Sequence, residues 1–231
     1  MTNYAKDTIV DGSHQESDRP DNSHGGTQMD IDIRRLTPDL VEDYVRFFDV
    51  TPHATNKDDH RCYCVWWCND DYAARDFDRD FGSREKRRDL AIQYVKGGNI
   101  QGYLAYGDDE VVGWCNANTK SDCLTCFCWR RFMSAVPTEE LTQGIKVKSI
   151  FCFAIAPKMR RKGLAKRLLE RVCQDAAQDG FDYVEAYPMK AFIDEAEDYM
   201  GPIELYIESG FTVVYETEQR LVMRKQLRAF I

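Results

Sequence analysis

Residues Ser149 to Gly180 read SIFCFAIAPKMRRKGLAKRLLERVCQDAAQDG, and their order decides the fold. The apolar run Ile150 to Ala156 is long enough for a strand buried on both faces. Pro157 cannot donate to a ladder and ends it. A short basic turn follows, Arg160-Arg161-Lys162-Gly163. Leu164, Leu168, Val172 and Ala176 then recur at four-residue spacing, which makes one apolar helix face, and Gly180 supplies the stop. The stretch reads strand, basic turn, helix.

That order makes an anion site. The first N–H groups of a helix have no internal partner, and the helix dipole adds partial positive charge there. Gly163 lacks a Cβ that would hold a phosphate away from the backbone. Arg160, Arg161, Lys162, Lys166 and Arg167 add full charges, so a diphosphate suits the turn. The alternative is an ordinary strand-to-helix turn with a solvated basic face. Neither G-x-x-x-x-G-K-[ST] nor G-x-G-x-x-G is present, which removes the P-loop and the dinucleotide fingerprint.

What stands there instead is Arg160-x-x-Gly163-x-Ala165 after a strand ending in proline. It resembles the acetyl-CoA motif of the GNAT family of N-acetyltransferases. Further on, Leu205-Tyr206-x-x-x-Gly210-Phe211 resembles that family's C-terminal Leu-Tyr-x-x-x-Gly-Phe. The block Arg61-Cys-Tyr-Cys-Val-Trp-Trp67 is also similar to a bacterial subgroup of uncharacterised members. The likeness spans roughly Met29 to Leu227. It implies an α/β fold, a mixed and mostly antiparallel sheet of about seven strands flanked by helices.

The remaining segments fit that order. Met1 to Gln28 is polar and reads as a disordered tail containing His14 and His24. Residues 29–231 then form one domain with insertions near 51–98 and 116–144. Met29 to Arg35 alternates as a strand, and Thr37-Pro38 opens a helix whose apolar face runs from Leu40 to Phe48, with Thr37 as N-cap. Residues 53–71 read as a short strand or turn, and Ser83 caps a helix ending at Gly97-Gly98. Ile100 to Tyr106 and Glu110 to Cys115 form a hairpin around Gly107-Asp108-Asp109. Asn116 to Gly144 reads as a long functional loop in which Thr138 opens a short helix. Asp182 to Tyr187 is a strand, Pro188 to Glu197 an acidic connection, Ile203 to Ser209 a short helix, and Phe211 to Arg224 a closing hairpin.

The resemblance also assigns roles. The pantetheine arm of acetyl-CoA would lie along Phe153, Ala154 and Ile155, whose backbone polarises the thioester carbonyl. The diphosphate would sit on Arg160, Arg161, Lys162, Gly163, Leu164, Ala165 and Lys166. Tyr206 matches the family's acid. Its ordinary pKa near 10 lies above that of a thiol, about 8.5, so it stays protonated and can donate to the departing sulfur. A core tyrosine is the alternative. Many members carry a glutamate base on the strand before the turn, where this chain has Ser149. Glu185 matches a glutamate used by members that acetylate ribosomal-protein N-termini. A carboxyl of pKa about 4.3 takes an ammonium proton only if burial raises it or a relay carries the proton. An exposed strand glutamate is the other reading.

Composition narrows the partners. With 231 residues and a net charge of −8, the chain lacks the basic footprint of a nucleic-acid binder and suits a cationic acceptor, the amine of a small molecule or peptide. No apolar run reaches the ~18 residues of a membrane span, and the N-terminus shows no secretory signal, so a cytoplasmic protein with no membrane partner is expected. A homodimer stays open. Nine cysteines without an export signal read as thiols. A rival set, His60, Cys62, Cys64 and Cys68 with Cys123, Cys126 and Cys128, would bind zinc if the segments met, although the spacing favours buried thiols and no metal is expected. A zinc- or redox-linked binding module that keeps the fold without catalysis is therefore the alternative function.

Overall fold

The apolar run around Phe151 becomes the centre of a sheet. The computed structural model of the protein describes residues 30–51, 60–194 and 198–227. The polar stretch 1–28, with His14 and His24, lies outside the described residues, as does 52–59. The strands are β1 (Ile31–Arg35), β2 (Gly102–Gly107), β3 (Glu110–Thr119), β4 (Val147–Ile155), β5 (Tyr183–Ala186), β6 (Thr212–Glu216) and β7 (Leu221–Gln226). They form one mixed sheet in the order β1-β2-β3-β4-β5-β7-β6. Only β4 and β5 pair in parallel. A parallel pair needs a crossover, and α6 (Leu164–Gln178) provides it.

The helices before it are α1 (Val41–Val50), α2 (Phe77–Phe81), α3 (Arg84–Lys96), α4 (Phe127–Phe132) and α5 (Glu139–Thr142); α7 (Ile203–Glu208) follows β5. The face of α6 expected from its spacing is buried: Leu164, Leu168, Val172 and Ala176. In α1 the buried residues are Val41, Tyr44, Val45, Phe47 and Phe48. Ser83 caps α3 by accepting from the Lys86 N–H at 3.3 Å. Asp108 and Asp109 both take positive φ in the β2–β3 turn, the hand a two-residue hairpin requires.

Two local expectations change. Thr37 makes no side-chain cap; a short 3₁₀ turn, Pro38–Leu40, leads into α1 instead. Proline supplies the first-turn φ, so the hydroxyl is not needed. The expected long loop begins later, because β3 continues to Thr119. Asn116 and Asn118 are fully buried there, and their amides donate to the carbonyls of Trp67 (2.7 Å) and Asn99 (3.0 Å). Tertiary partners thus hold a polar sequence in a strand. The rest of 116–144 holds a 3₁₀ turn, Lys120–Cys123, that packs on β3 and β4, and the short helices α4 and α5.

A second buried cluster gathers Trp67, Cys123, Cys126, Cys128, Trp129, Met133, Val136, Phe151, Tyr187, Met200 and Val222. Phe151 stacks on Trp67 with ring centroids 4.7 Å apart. All nine cysteines are free thiols, eight of them buried.

Candidate functional site

Where β4 leaves β5, the backbone opens. The parallel pairing ends at Ile150 opposite Ala186. On the other edge Asn116 faces Cys152 while Ala117 faces Ile150, so Phe151 is an extra residue in β4. Such a bulge bends its strand and re-aims the following residues. Beyond it the β5 side of β4 has no strand partner. Ala156 turns its N–H to Val112 of β3 (2.9 Å), so by ladder alternation Ala154 faces β3 as well. Phe153 and Ile155 face the opening. The Phe153 N–H donates to the Tyr199 carbonyl at 2.7 Å.

The basic turn follows the C-terminal end of β4, past this unpaired stretch. Gly163 adopts φ 76°, in the left-handed region, directly before α6. A Cβ built there would meet nothing within 4 Å, so the requirement is conformational and the space beside it is open. Arg161 also takes a positive φ, 59°. Arg160, Arg161, Lys162 and Gly163 are exposed, Leu164 is buried beneath them, and Ala165 and Lys166 are partly exposed. Arg160 folds back, its Nε donating to the Ile155 carbonyl at 3.3 Å. Lys166 meets Glu208 at 3.5 Å, and Arg167 reaches the Ile31 carbonyl at 2.9 Å. The turn thus presents helix N–H groups and guanidinium and ammonium charge on one surface, which fits a diphosphate.

Tyr206 lies in the core on α7. It is completely buried, its ring edge-on to Phe211 at 5.3 Å, and its hydroxyl donates to the Met200 carbonyl. Burial pushes its pKa well above the ordinary value, and nearby cysteines and Asp198 add to the effect. It stays protonated across the working pH range.

Glu185 is also completely buried. Its Oε1 lies 2.8 Å from Lys120 Nζ, and its Oε2 accepts from Arg224 Nε at 2.7 Å. Glu140 on α5 completes a quartet, 2.6 Å from Lys120 and 3.0 Å from Arg224. Burial pushes Glu140 up, but its contacts with Lys120 and Arg224 outweigh that and hold it below the usual carboxylate range. Ser149, which stands on β4 where many members of the family that the sequence resembles carry a glutamate base, lies opposite Glu185 in the parallel register. Its hydroxyl shares a 2.6 Å hydrogen bond with the Tyr187 hydroxyl. Burial raises Tyr187, and the Glu185 charge adds to it.

The structure therefore brings Phe153, Ile155 and the basic turn together along one edge of β4. Tyr206 approaches that edge from α7, linked through Met200. Glu185 stands one strand away, on the face that carries Ser149 and Phe151. Residues that sequence reasoning missed are Lys120, Glu140, Arg224 and Tyr187. Each comes from a different segment, so no local spacing marks them. Among the described residues, no group of three or more His, Cys, Asp or Glu side chains is placed to hold a metal ion. No helix among them is long and apolar enough to cross a membrane.

The model of the acetyltransferase (GNAT) family matches residues 37–201. No curated protein matches the sequence. Among solved structures, an uncharacterized protein from Bacillus halodurans aligns with a TM-score of 0.51 at 14% identity, over 85% of this chain and 83% of its own. The paia N-acetyltransferase of Thermoplasma acidophilum, in complex with coenzyme A, aligns at 0.47 and 14%, over 86% of this chain and 99% of its own. An N-acetyltransferase from Staphylococcus aureus Mu50 aligns at 0.45 and 14%, over 86% and 99%. At such identity the likeness to the Bacillus halodurans protein is one of fold.

Proposed function

This chain belongs to the GNAT family of acetyltransferases, and from that premise we propose that it moves an acetyl group from acetyl-CoA to a primary amine of a small molecule or peptide. The observation that carries the reading is the opening between β4 and β5 beside the bulge at Phe151, leading to the basic turn. An extended arm placed there gains strand-like hydrogen bonds from Phe153 and Ile155 while Ala154 holds the strand to β3. Arg160, Arg161, Lys162 and the N–H groups from Gly163 to Lys166 hold the diphosphate.

The placement of the remaining residues supports the following roles. The Phe153 N–H polarises the thioester carbonyl as a preorganised donor. Tyr206, kept protonated by burial, supplies a proton to the departing sulfur. Glu185 has no exposed surface and both its oxygens face cations. We assign it the transient proton acceptor of a relay through Ser149 and Tyr187, whose hydroxyls are 2.6 Å apart. The proton passes on to solvent, which restores the carboxylate that balances Lys120 and Arg224. The net charge of −8 favours a cationic acceptor at long range.

An amine screen with acetyl-CoA, read as free thiol released, tests the reaction. Thiol release that depends on one class of amine is the expected result. A folded protein that neither binds acetyl-CoA nor releases thiol with any amine would overturn it.

A further inference from the structure

The two groups assigned to the acetyl-transfer step are both engaged by one short segment. The Tyr199 carbonyl accepts from the Phe153 N–H at 2.7 Å, and the next carbonyl, that of Met200, accepts from the Tyr206 hydroxyl. These partners come from opposite walls of the opening, β4 and α7. Residues Asp198 to Pro202 therefore lie across it as a strap. The Tyr199 carbonyl makes the hydrogen bond that a thioester carbonyl on β4 would make.

The strap is held at identifiable points. Arg220, buried just before β7, donates from Nη1 to the Tyr187 carbonyl at 3.0 Å and lies 3.4 Å from Met200 Sδ. Its guanidinium also lies 6.0 Å from the centre of the Tyr199 ring. It links the end of β5 to the strap. Gly201 takes φ 83°, and its N–H closes a turn onto the Asp198 carbonyl at 3.0 Å. A Cβ there would come 3.3 Å from Leu205 Cδ2 and 3.4 Å from Phe153 Cδ2. Both the backbone hand and the tight fit against β4 favour glycine at this corner.

We propose that the Asp198–Pro202 strap is a built-in competitor of the acetyl-CoA arm. In its closed position it occupies the Phe153 N–H and the Tyr206 hydroxyl, and it must lift before the arm can pair with β4. Lifting frees both groups at once, so the donor for the carbonyl and the acid for the sulfur become available together. The inference rests on the acetyl-CoA reading above. Its energetic content is a population shift: coenzyme A binds the open form only, and its apparent affinity falls by the fraction of open molecules.

Stopped-flow tryptophan fluorescence with coenzyme A on the full chain, together with amide exchange by NMR, tests this. Strap opening should limit binding, so the observed rate should level off as coenzyme A rises. Gly201→Ala strains the closed corner and should raise that plateau roughly 5–10-fold. Arg220→Lys, which keeps a buried cation but loses the guanidinium contact, should shift it the same way if the variant folds. Coenzyme A should speed exchange at the Gly201 amide while the Phe153 amide, passing from one acceptor to another, stays protected. A rate that climbs linearly with coenzyme A in the wild type and Gly201→Ala, with Gly201 exchange unchanged, would overturn the strap and leave the β4 site standing. Binding to Gly201→Ala but not to the wild type would support the strap in its strongest form. Failure of wild type and both folded variants to bind coenzyme A would overturn both readings.

Discussion

The basic turn at Arg160–Lys166 and the buried quartet around Glu185 follow opposite plans, although both depend on β4 and its neighbours. The turn is one contiguous stretch, exposed, with its charges on the surface and open space beside Gly163. The quartet joins Lys120 after β3, Glu140 on α5, Glu185 on β5 and Arg224 on β7. Lys120 and Glu185 are fully buried, and the two acids balance the two bases. A contiguous exposed site can change its ligand without touching the core. A buried site assembled from distant segments is inseparable from the fold, because each charge is tolerated only while its partners stay in place.

Removing one member of each site separates the two. Glu185→Gln keeps the shape but leaves Lys120 and Arg224 with one carboxylate instead of two. Breaking a buried ion network in this way costs about 3–5 kcal/mol of stability. Urea denaturation of the variant should show that loss, and a change below roughly 1 kcal/mol would mean that the quartet is far better solvated than its burial indicates. Gly163→Glu should do the reverse. It puts a carboxylate where a diphosphate would lie and forces a side chain into φ 76°. Coenzyme A affinity should fall by roughly 10²–10³-fold, while the exposed turn limits the stability loss to about 1–2 kcal/mol. Undiminished affinity in a folded variant would remove the turn from the site.

The same contrast explains what was legible in the sequence. The turn could be read because its chemistry is local: a strand stop at Pro157, a left-handed glycine, then a helix start. The Leu205-Tyr206 motif likewise announced α7, and the hydrophobic spacing of α1 and α6 gave their buried faces. The quartet was not legible. Lys120 and Glu140 sit in a stretch that reads as loop, and only tertiary pairing of Asn116 and Asn118 carries β3 that far. Glu185 is buried against Lys120 and Arg224, and no local spacing announces that these segments meet. The strap was hidden more deeply still, since its contacts are main-chain carbonyls and any residues could supply them. The cysteines gave the opposite problem, a suggestive spacing whose thiols pack as small apolar groups in the core.

Tyr206 lies between the two plans: its motif is local, but its hydroxyl is buried. Tyr206→Phe keeps the ring against Phe211 and removes one hydrogen bond to Met200. If the hydroxyl protonates the sulfur, kcat should fall by about 10²-fold, while loss of the bond to Met200 loosens the strap and should leave coenzyme A affinity unchanged or raised, not lowered. The lower end of the general-acid range applies because a thiolate leaves tolerably without full protonation. Wild-type kcat under conditions where chemistry limits the rate would make Tyr206 a packing residue.

The smallest effect expected comes from comparing two buried lysines. Lys120 faces Glu140 and Glu185, whereas Lys148 on β4 donates to the amide oxygen of Gln101 at 2.9 Å and lies 5.1 Å from the Phe181 ring centre. Burial is the main cause of its lowered pKa, about 8; Arg35 pushes the same way, and Asp179, Cys123 and Asp122 oppose. An unfolded lysine titrates near 10.4, so between about pH 8 and 10.4 the folded chain binds fewer protons than the unfolded one. The lysine's contribution to stability therefore rises with pH through that window and is least favourable below it. Lys148→Met should be more stable than the wild type by about 1–2 kcal/mol at pH 7, after allowing for the lost bond to Gln101. The titration is worth about 3 kcal/mol between pH 7 and about 10.5, so that advantage should vanish and then reverse by about pH 10.5, where the neutral wild-type lysine keeps its bond to Gln101. Eight of the nine cysteine thiols are also raised, Cys62 and Cys64 chiefly by hydrogen bonds with neighbouring thiols and the other six chiefly by burial, which lowers stability in alkali. Both proteins share that loss, so the difference between their urea curves isolates the lysine. A difference that stays flat from pH 7 to pH 10 would mean that Lys148 is solvated in the folded chain and keeps an ordinary charge.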